Sequence, residues 1–366
     1  MTEKYQARRF ALTAFLYCIG SAYILGGTSG AGRDEWLARL LSALAGLPIV
    51  MLCAFLSGRH PGLDLFSILR KKLPKGMVSV LSALGAVYAA VILGMSLSCF
   101  SRYTAALILT QTPKAVMSAL LALCVLLFAS KGAAPLCRVS GFLFALIVPV
   151  LAAVFVLSVP SMHGAFLLPV GRELRVLHVY RSLAFPFVEP VLLFALAPSA
   201  PKGVKPRHWL LPYLGGAAVL VFGCMRNTAV LGDALAGMFS FQAAAADSIV
   251  GYESVHQRLE VLTTMIPAAA GLVDAALSLR FASGALASAF GKRESRLAPP
   301  ACMLAGFLVA VYAFRTDASL QIKNMLWPGI SSFVHLLLLM LCLLPGKKKT
   351  SAKAKKFLCC LKKAMK

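Results

Sequence analysis

The chain has 366 residues and a formal net charge of +24 at pH 7; 59% of its residues are hydrophobic and only 14% are charged. Soluble domains carry about a quarter charged residues, and the mean hydropathy of +0.81 also excludes an ordinary soluble fold. Segments of about 20 apolar residues span a bilayer, and the sequence contains many of them. We therefore expect a polytopic, all-α membrane protein.

Several other classes of protein are excluded by pattern. The basic residues occur in short runs between apolar segments and after Leu344, so no continuous basic face could follow a nucleic acid. The ten cysteines form no CxxC or Cys/His cluster, which predicts buried thiols and no zinc site or disulfide framework. No enzyme motif occurs: HExxH and a nucleophile elbow are absent from the sequence, and GGTSGAG lacks the lysine of a phosphate-binding loop.

The apolar segments predict ten transmembrane helices in one domain, residues 1–345, followed by a basic cytoplasmic tail, residues 346–366. In chain order the spans cover residues 10–28, 36–56, 77–108, 113–130, 139–159, 178–198, 208–231, 250–290, 299–314 and 327–344. They divide into two halves of five spans, about 10–159 and 178–344. The stretch 232–250 is too polar for a span and too apolar for a free loop.

Charge sets the predicted orientation. Lysine and arginine are concentrated in the segment before the first span and in the tail. They are also concentrated in the segments that join spans 2 and 3, 4 and 5, 6 and 7, and 8 and 9. By the positive-inside rule these segments lie in the cytoplasm, and an even number of spans puts both termini there. The tail, GKKKTSAKAKKFLCCLKKAMK, is expected to lie near anionic lipid.

The sixth span contains two helix breakers and a carboxylate. It reads LAFPFVEPVLLFAL over residues 183–196, and Pro186, Glu189 and Pro190 lie close together. Because Pro190 lacks an amide proton, the carbonyl of Pro186 loses its partner within an α-helix. Freed backbone at membrane depth is tolerated only inside protein or beside a polar cavity. We predict a discontinuous helix around residues 187–189; a simple proline kink is the alternative.

Small residues interrupt the first span at the corresponding place. Gly20, Ser21 and Ala22 lie midway along it, and Gly26 and Gly27 follow. Glycine costs a helix about 1 kcal/mol and lets the backbone leave helical geometry, although small residues also serve tight helix packing. The first and sixth spans lead the two halves, and interrupted helices at matching positions are typical of inverted-repeat transporters with a midplane site.

Five short motifs, in order along almost the whole chain, carry a resemblance to a known family. They are IGSAYI (19–24), GRDEWLARLL (32–41), LILTQTPKAVM (107–117), FPFVEP (185–190) and HQRLEVL (256–262). The chain resembles the spore germination permease family, which comprises the B-type membrane subunits of germinant receptors. That family is a branch of the amino acid/polyamine/organocation transporter superfamily.

The resemblance implies a LeuT-like 5+5 inverted repeat in which helices 1 and 6 are discontinuous. It also implies a nutrient receptor of the spore inner membrane. Such a receptor senses small nutrients, typically amino acids, together with an A-type membrane subunit and a C-type lipoprotein. An autonomous amino acid transporter of the same superfamily is the alternative function, and a scaffold with a vestigial site is a third.

The hypothesis for the site is a small neutral amino acid whose carboxylate meets the exposed amides of the first helix break. The sixth-span break would supply further contacts, and Glu189 would hold the ammonium or relay a proton. The candidate substrate-binding residues are Gly20, Ser21, Ala22, Tyr88, Phe187, Val188, Glu189, Glu260 and Thr263.

Some of these candidates have a second interpretation. Tyr88 is also compatible with simple core packing, and Arg258 and Glu260 with structural pairing or capping near the outer end. Thr263 and Thr264 have the chemistry of a sodium site, but hydroxyls bonded to their own helix explain them as well. No metal or cofactor is assigned.

Overall fold

The computed structural model describes residues 3–25, 30–183, 186–199, 204–253, 259–292, 295–314 and 317–345. Within these ranges the regular structure is helical, without a strand. The α-helices are α1 (Glu3–Leu25), α2 (Glu35–Arg59), α3 (Leu65–Lys72), α4 (Lys75–Leu107), α5 (Lys114–Ser130), α6 (Ala133–Ser158), α7 (Val176–Leu183), α8 (Arg207–Met238), α9 (Gln242–Glu253), α10 (Leu259–Ala289), α11 (Ala298–Leu308) and α12 (Asp317–Leu343).

Shorter helical segments complete the chain. The longest is a 3-10 helix, Glu189–Ser199, which continues the sixth span after α7. Three brief 3-10 turns occur at Gly32–Asp34, Val159–Ser161 and Gly164–Leu167, and α11 ends in a π-helical turn at Val309–Ala313.

The helices confirm the ten predicted spans. Six described segments are long and apolar enough to cross a membrane: Gly32–Arg59, Lys75–Leu107, Ala133–Ser161, Arg207–Met238, Thr263–Ala289 and Leu326–Leu343. Three shorter apolar helices, Lys114–Ser130, Glu189–Ser199 and Ala298–Ala313, account for the fourth, sixth and ninth spans. Helix α1 is the first span, and the short α3 connects the second span to the third.

The predicted boundaries differ from the structure between the seventh and eighth spans. The predicted eighth span began at residue 250, but α9 ends at Glu253 and α10 begins at Leu259. The ambiguous stretch 232–250 forms the end of α8 and most of α9. At Gly232 the backbone of α8 leaves helical geometry (φ 73°, ψ 167°), which redirects the chain after the span.

Proline marks the start of several helices. Pro74, Pro113 and Pro206 each immediately precede a helix, α4, α5 and α8 respectively. Proline suits the first turn of a helix because the amide that it lacks would have no intrahelical acceptor there. The start of each of these three helices is therefore marked by a proline in the sequence itself.

Helix α1 lies inside the bundle. It packs against α4, α6, α8 and α10 and against the 3-10 helix of the sixth span. Its Leu16, Tyr17 and Ile19 side chains are completely buried. By contrast, Phe142 and Val156 of α6 are about 70% exposed, as expected for side chains that face lipid in a membrane protein.

Helix α3 ties the ends of two long helices together. The Arg70 guanidinium donates hydrogen bonds to Ser288 Oγ (3.1 Å) and to the Lys292 carbonyl (2.6 Å) at the end of α10. The Lys72 ammonium donates to the Cys342 carbonyl near the end of α12. These bonds fix α10 and α12 to one connector at the face of the bundle that we predict to be cytoplasmic.

Seven of the eight described cysteines are buried free thiols, as their pattern predicted, and Cys124 is exposed.

Candidate binding site at two helix breaks

The first break lies at Gly20. Its backbone angles (φ 27°, ψ −137°) depart from the helix, although helical residues continue on both sides. This conformation favours glycine because a Cβ atom would be strained there. The predicted interruption of the first span is therefore confirmed, and it rests on this residue.

The second break lies between α7 and the 3-10 helix of the sixth span. Helix α7 ends at Leu183, residues 186–188 form a turn, and the 3-10 helix begins at Glu189. The Glu189 amide donates to the Pro186 carbonyl (3.3 Å), the same carbonyl that Pro190 cannot serve. A tight turn thus replaces the missing α-helical bond. The predicted discontinuity of the sixth span is confirmed.

Glu189 connects the two breaks. Its side chain is completely buried. The Tyr17 hydroxyl, three residues before Gly20, lies 3.4 Å from Glu189 Oε2 and 3.3 Å from the Glu189 carbonyl oxygen. The Trp327 indole donates to Glu189 Oε1 at 3.2 Å. The carboxylate is therefore positioned by donors from α1 and α12, and donors of this kind stabilise its charged form.

Helix α12 also contributes an aromatic and polar cluster beside Glu189. The Tyr88 ring of α4 stacks on Trp327, with centroids 5.1 Å apart and planes 1° from parallel. Tyr88 meets His335 edge to face, at 5.1 Å, and its hydroxyl lies 2.8 Å from Ser331 Oγ. The Glu189 carboxylate and the Tyr88 hydroxyl are also close enough to interact electrostatically. Tyr88 thus packs in a polar and aromatic cluster beside Glu189.

Phe187 and Val188 face in different directions. Phe187 packs edge to face against Tyr213 of α8, with centroids 5.9 Å apart. An added Cβ at Gly46 of α2 would lie 2.6 Å from the Phe187 carbonyl oxygen, so glycine lets α2 approach the break closely. Val188 is completely buried. Its backbone carbonyl lies near the His335 ring of α12 and interacts with it electrostatically. Phe187 therefore supports the break from the α2 and α8 side, and residue 188 faces α12.

The structure brings together some of the nine predicted site residues. Gly20, Tyr88 and Glu189 belong to the cluster described above, and Ala22 is buried just beyond the first break. Thr263 is also buried, but it precedes by eleven residues the part of α10 that meets Gly20, which is about 16 Å along a helix. Thr263 therefore lies away from the cluster.

Two further candidates cannot be placed. The side chains of Ser21 and Glu260 lie outside the described part of the chain, as do residues 254–258, which include Arg258.

Asp274 is the main residue of this region that is absent from the candidates named from the sequence. It is completely buried on α10 beside Gly20. The Ser96 hydroxyl of α4 donates to Asp274 Oδ2 at 2.8 Å. The signal in the sequence was the carboxyl itself, inside a span and followed four residues later by Ser278 on the same helix face.

The α12 residues could have been found from the sequence. Trp327, Ser331 and His335 recur at intervals of four in the mostly apolar part of α12, Leu326–Leu343, and residues four apart share one helix face. A polar stripe within a span usually faces the bundle interior.

A buried ion pair joins α8 to α9 near the half of α1 that follows Gly20. Arg226 of α8 lies 2.8 Å from Asp247 of α9, and both side chains are at most 3% exposed. Arg226 also donates to Asn227 Oδ1 (2.8 Å) and to the Ala243 carbonyl (3.1 Å). Both members of the pair act electrostatically on Tyr23 of α1. Helix α9 is thus anchored next to the half-helix that follows Gly20.

The helical bundle with its interrupted first and sixth spans has the LeuT fold. The solved structure of MhsT in complex with L-phenylalanine matches with a TM-score of 0.60 and 17% identity, covering 91% of this chain and 87% of that chain. The chain belongs to the spore permease family of spore germination proteins, which it matches over residues 7–319. No curated protein matches it. It is an integral, multi-pass membrane protein related to germination.

Proposed function

We propose that this protein is the B-type membrane subunit of a germinant receptor, binding a small neutral amino acid between the two helix breaks. Binding would be passed to an A-type membrane subunit and a C-type lipoprotein in the spore inner membrane, with both termini cytoplasmic. The observation that carries this proposal is the buried Glu189 carboxylate between the break at Gly20 and the break at residues 186–188.

The two ends of an amino acid suit the two breaks. Glu189 supplies a negative charge for the ammonium group. The amides that begin the second half of the first span, at Gly20, Ser21 and Ala22, favour a carboxylate, as the N-terminal end of any helix does. Tyr88, Trp327 and Val188 offer aromatic and apolar surface to the rest of the ligand. Such walls support a neutral side chain.

The structural likeness to MhsT favours a second candidate, an autonomous amino acid transporter. Counterflow of labelled alanine into liposomes containing only this protein separates the two functions. A transporter exchanges label without partners. A receptor subunit binds alanine yet exchanges none, and neighbouring genes for an A-type subunit and a lipoprotein would agree with that result.

Thermal unfolding of the purified protein with a panel of amino acids tests binding. A ligand at 100 times its Kd stabilises the folded state by about 2.7 kcal/mol. Replacing Glu189 with Gln removes the charge that meets the ammonium, so we expect affinity to fall about 10- to 100-fold, the equivalent of a charged hydrogen bond.

The matched control is Glu173→Gln. Glu173 is 38% exposed and pairs with Arg33 across 3.5 Å, away from the breaks. We expect its affinity for the ligand to be unchanged. If no amino acid stabilises the protein, with partner subunits present or absent, the scaffold interpretation replaces this proposal.

A further inference from the structure

A second buried carboxylate lies on the other side of the first helix break. Asp274 of α10 is completely buried, as is Glu189. An ideal Cβ built on Gly20 would lie 3.3 Å from Asp274 Cβ and 3.5 Å from Asp274 Oδ2. The acid therefore touches the one residue of α1 whose backbone leaves the helix. An ionisable residue inside a membrane bundle is rare and marks an ion or proton pathway by default.

Tyr17 links the first helix break to Glu189. It lies three residues before Gly20 on α1, and its hydroxyl is 3.4 Å from Glu189 Oε2. Asp274 packs against Gly20 and accepts a hydrogen bond from the Ser96 hydroxyl of α4, and the titratable side chains nearby are Tyr17, Glu189 and Tyr88. A change at Asp274 therefore has a direct route to the helix break and, along α1, a route to the Glu189 site.

The chemistry at Asp274 suits a proton. A serine hydroxyl can donate to a carboxylate and can equally accept from a carboxylic acid, so Ser96 can hold Asp274 in either form. The described residues contain no group of three or more His, Cys, Asp or Glu side chains that could hold a metal ion. A sodium ion, which hydroxyl and carbonyl oxygens can bind, is the competing occupant, and the pH test below separates it from a proton.

We propose that Asp274 is a proton-binding site, separate from the Glu189 site, and that its occupancy is linked to ligand binding through the break at Gly20. The proton adds to a carboxylate oxygen and leaves from the same atom, so no other bond changes. The link to a ligand rests on the proposed amino acid site, whereas proton binding itself does not. By reciprocity, a ligand that favours one state of Asp274 takes up or releases a proton when it binds.

Infrared titration of the purified protein without any ligand tests the proton site alone. We expect the carbonyl-stretch signal of one carboxylic acid to disappear as pH rises, and Asp274→Asn to lack that signal. Asp64→Asn, which alters the half-buried acid just before α3, should keep it. An unchanged titration in Asp274→Asn overturns the proposal.

Ser96→Ala serves as a second variant in case Asp274→Asn fails to fold. It removes the hydrogen bond to Asp274 Oδ2 and keeps the acid. We expect it to retain the infrared signal with a displaced midpoint. A midpoint equal to that of the unaltered protein contradicts the assignment of the signal to Asp274.

The linkage is tested by the affinity of the amino acid that stabilises the protein best, measured across pH. One linked proton changes affinity by at most about tenfold per pH unit over the titration range, and Asp274→Asn should abolish this dependence. Affinity that follows sodium concentration and ignores pH would overturn the proposal in favour of a cation site. Absence of any ligand would defeat the proposed function, while the infrared titration would still decide the proton site.

Discussion

The break in the first span is a single glycine within one helix, whereas the break in the sixth is a turn flanked by two prolines. At Gly20 the backbone bends within a continuous helix. In the sixth span, α7 stops, the chain turns at residues 186–188, and a 3-10 helix resumes. Proline removes a hydrogen bond whatever surrounds it, but glycine only permits a conformation that its neighbours must maintain.

The difference implies different roles for the two breaks. The sixth-span break holds Glu189 through local chemistry and completely buried neighbours. The break at Gly20 is maintained by packing against Asp274 and by the contacts of the half-helix that follows. We therefore expect the geometry at Gly20, more than the turn at residues 186–188, to respond to changes elsewhere in the bundle. Four predictions test this contrast, from the largest expected effect to the smallest.

The first removes the ion pair beside the half of α1 that follows Gly20. Replacing Arg226 with Gln leaves the buried Asp247 charge uncompensated, so we expect a loss of about 3–5 kcal/mol of stability. Thermal and denaturant unfolding of the purified protein measure it. The double variant Arg226→Met, Asp247→Leu removes both charges and should lose less. A double variant as unstable as the single one would show that the charge pair is not the cause.

The second addresses the glycine break directly. Gly20→Val places a β-branched side chain at φ 27° and against Asp274, so we expect about 2–5 kcal/mol of lost stability and loss of ligand-dependent stabilisation. Gly76→Ala is the matched control, because nothing lies within 4 Å of an added Cβ there. Normal stability and binding in Gly20→Val would mean that the break tolerates side chains and is not specific.

The third addresses the proline break. Pro190→Ala restores an amide, but the Pro186 carbonyl already accepts from Glu189 and the surrounding residues are buried. We expect only the entropic effect of losing a proline, a destabilisation of about 0.4–1 kcal/mol, and nearly unchanged ligand affinity. A large change in affinity would show that proline itself, and not its setting, holds Glu189 in place.

The last concerns the loop between α2 and α3, far from both breaks. Burial, followed by the charges of Lys72, Lys71 and Arg59, lowers the pKa of His60 from its ordinary 6.5. The folded protein therefore binds this proton less readily than the unfolded chain, and stability falls as pH drops below about 6.5. In His60→Gln this contribution to the pH dependence of thermal unfolding should vanish, with ligand affinity unaffected. Identical pH profiles would exclude His60 as its source.

Local signals in the sequence predicted the spans and both breaks, because missing amides and glycine conformations are properties of single residues. They did not predict the partners across the breaks. Tyr17 and Glu189 are 172 residues apart and Trp327 and Glu189 are 138 apart, so their contacts depend on how whole helices pack. The contact between Asp274 and Gly20 was not predicted for the same reason. Gly20 lies on the first helix and Asp274 on α10, and the residues around a carboxyl in the sequence do not show which helix it contacts.

The connector α3 couples two helices of the candidate site, α10 and α12, to each other. Helix α12 carries Trp327 at the candidate site and, about 22 Å further along its axis, the Cys342 carbonyl held by Lys72. Helix α10 carries Asp274 and then Ser288, which is held by Arg70 of the same connector. If either helix pivots, the eight-residue connector α3 moves with it, and so does the basic loop beside α3.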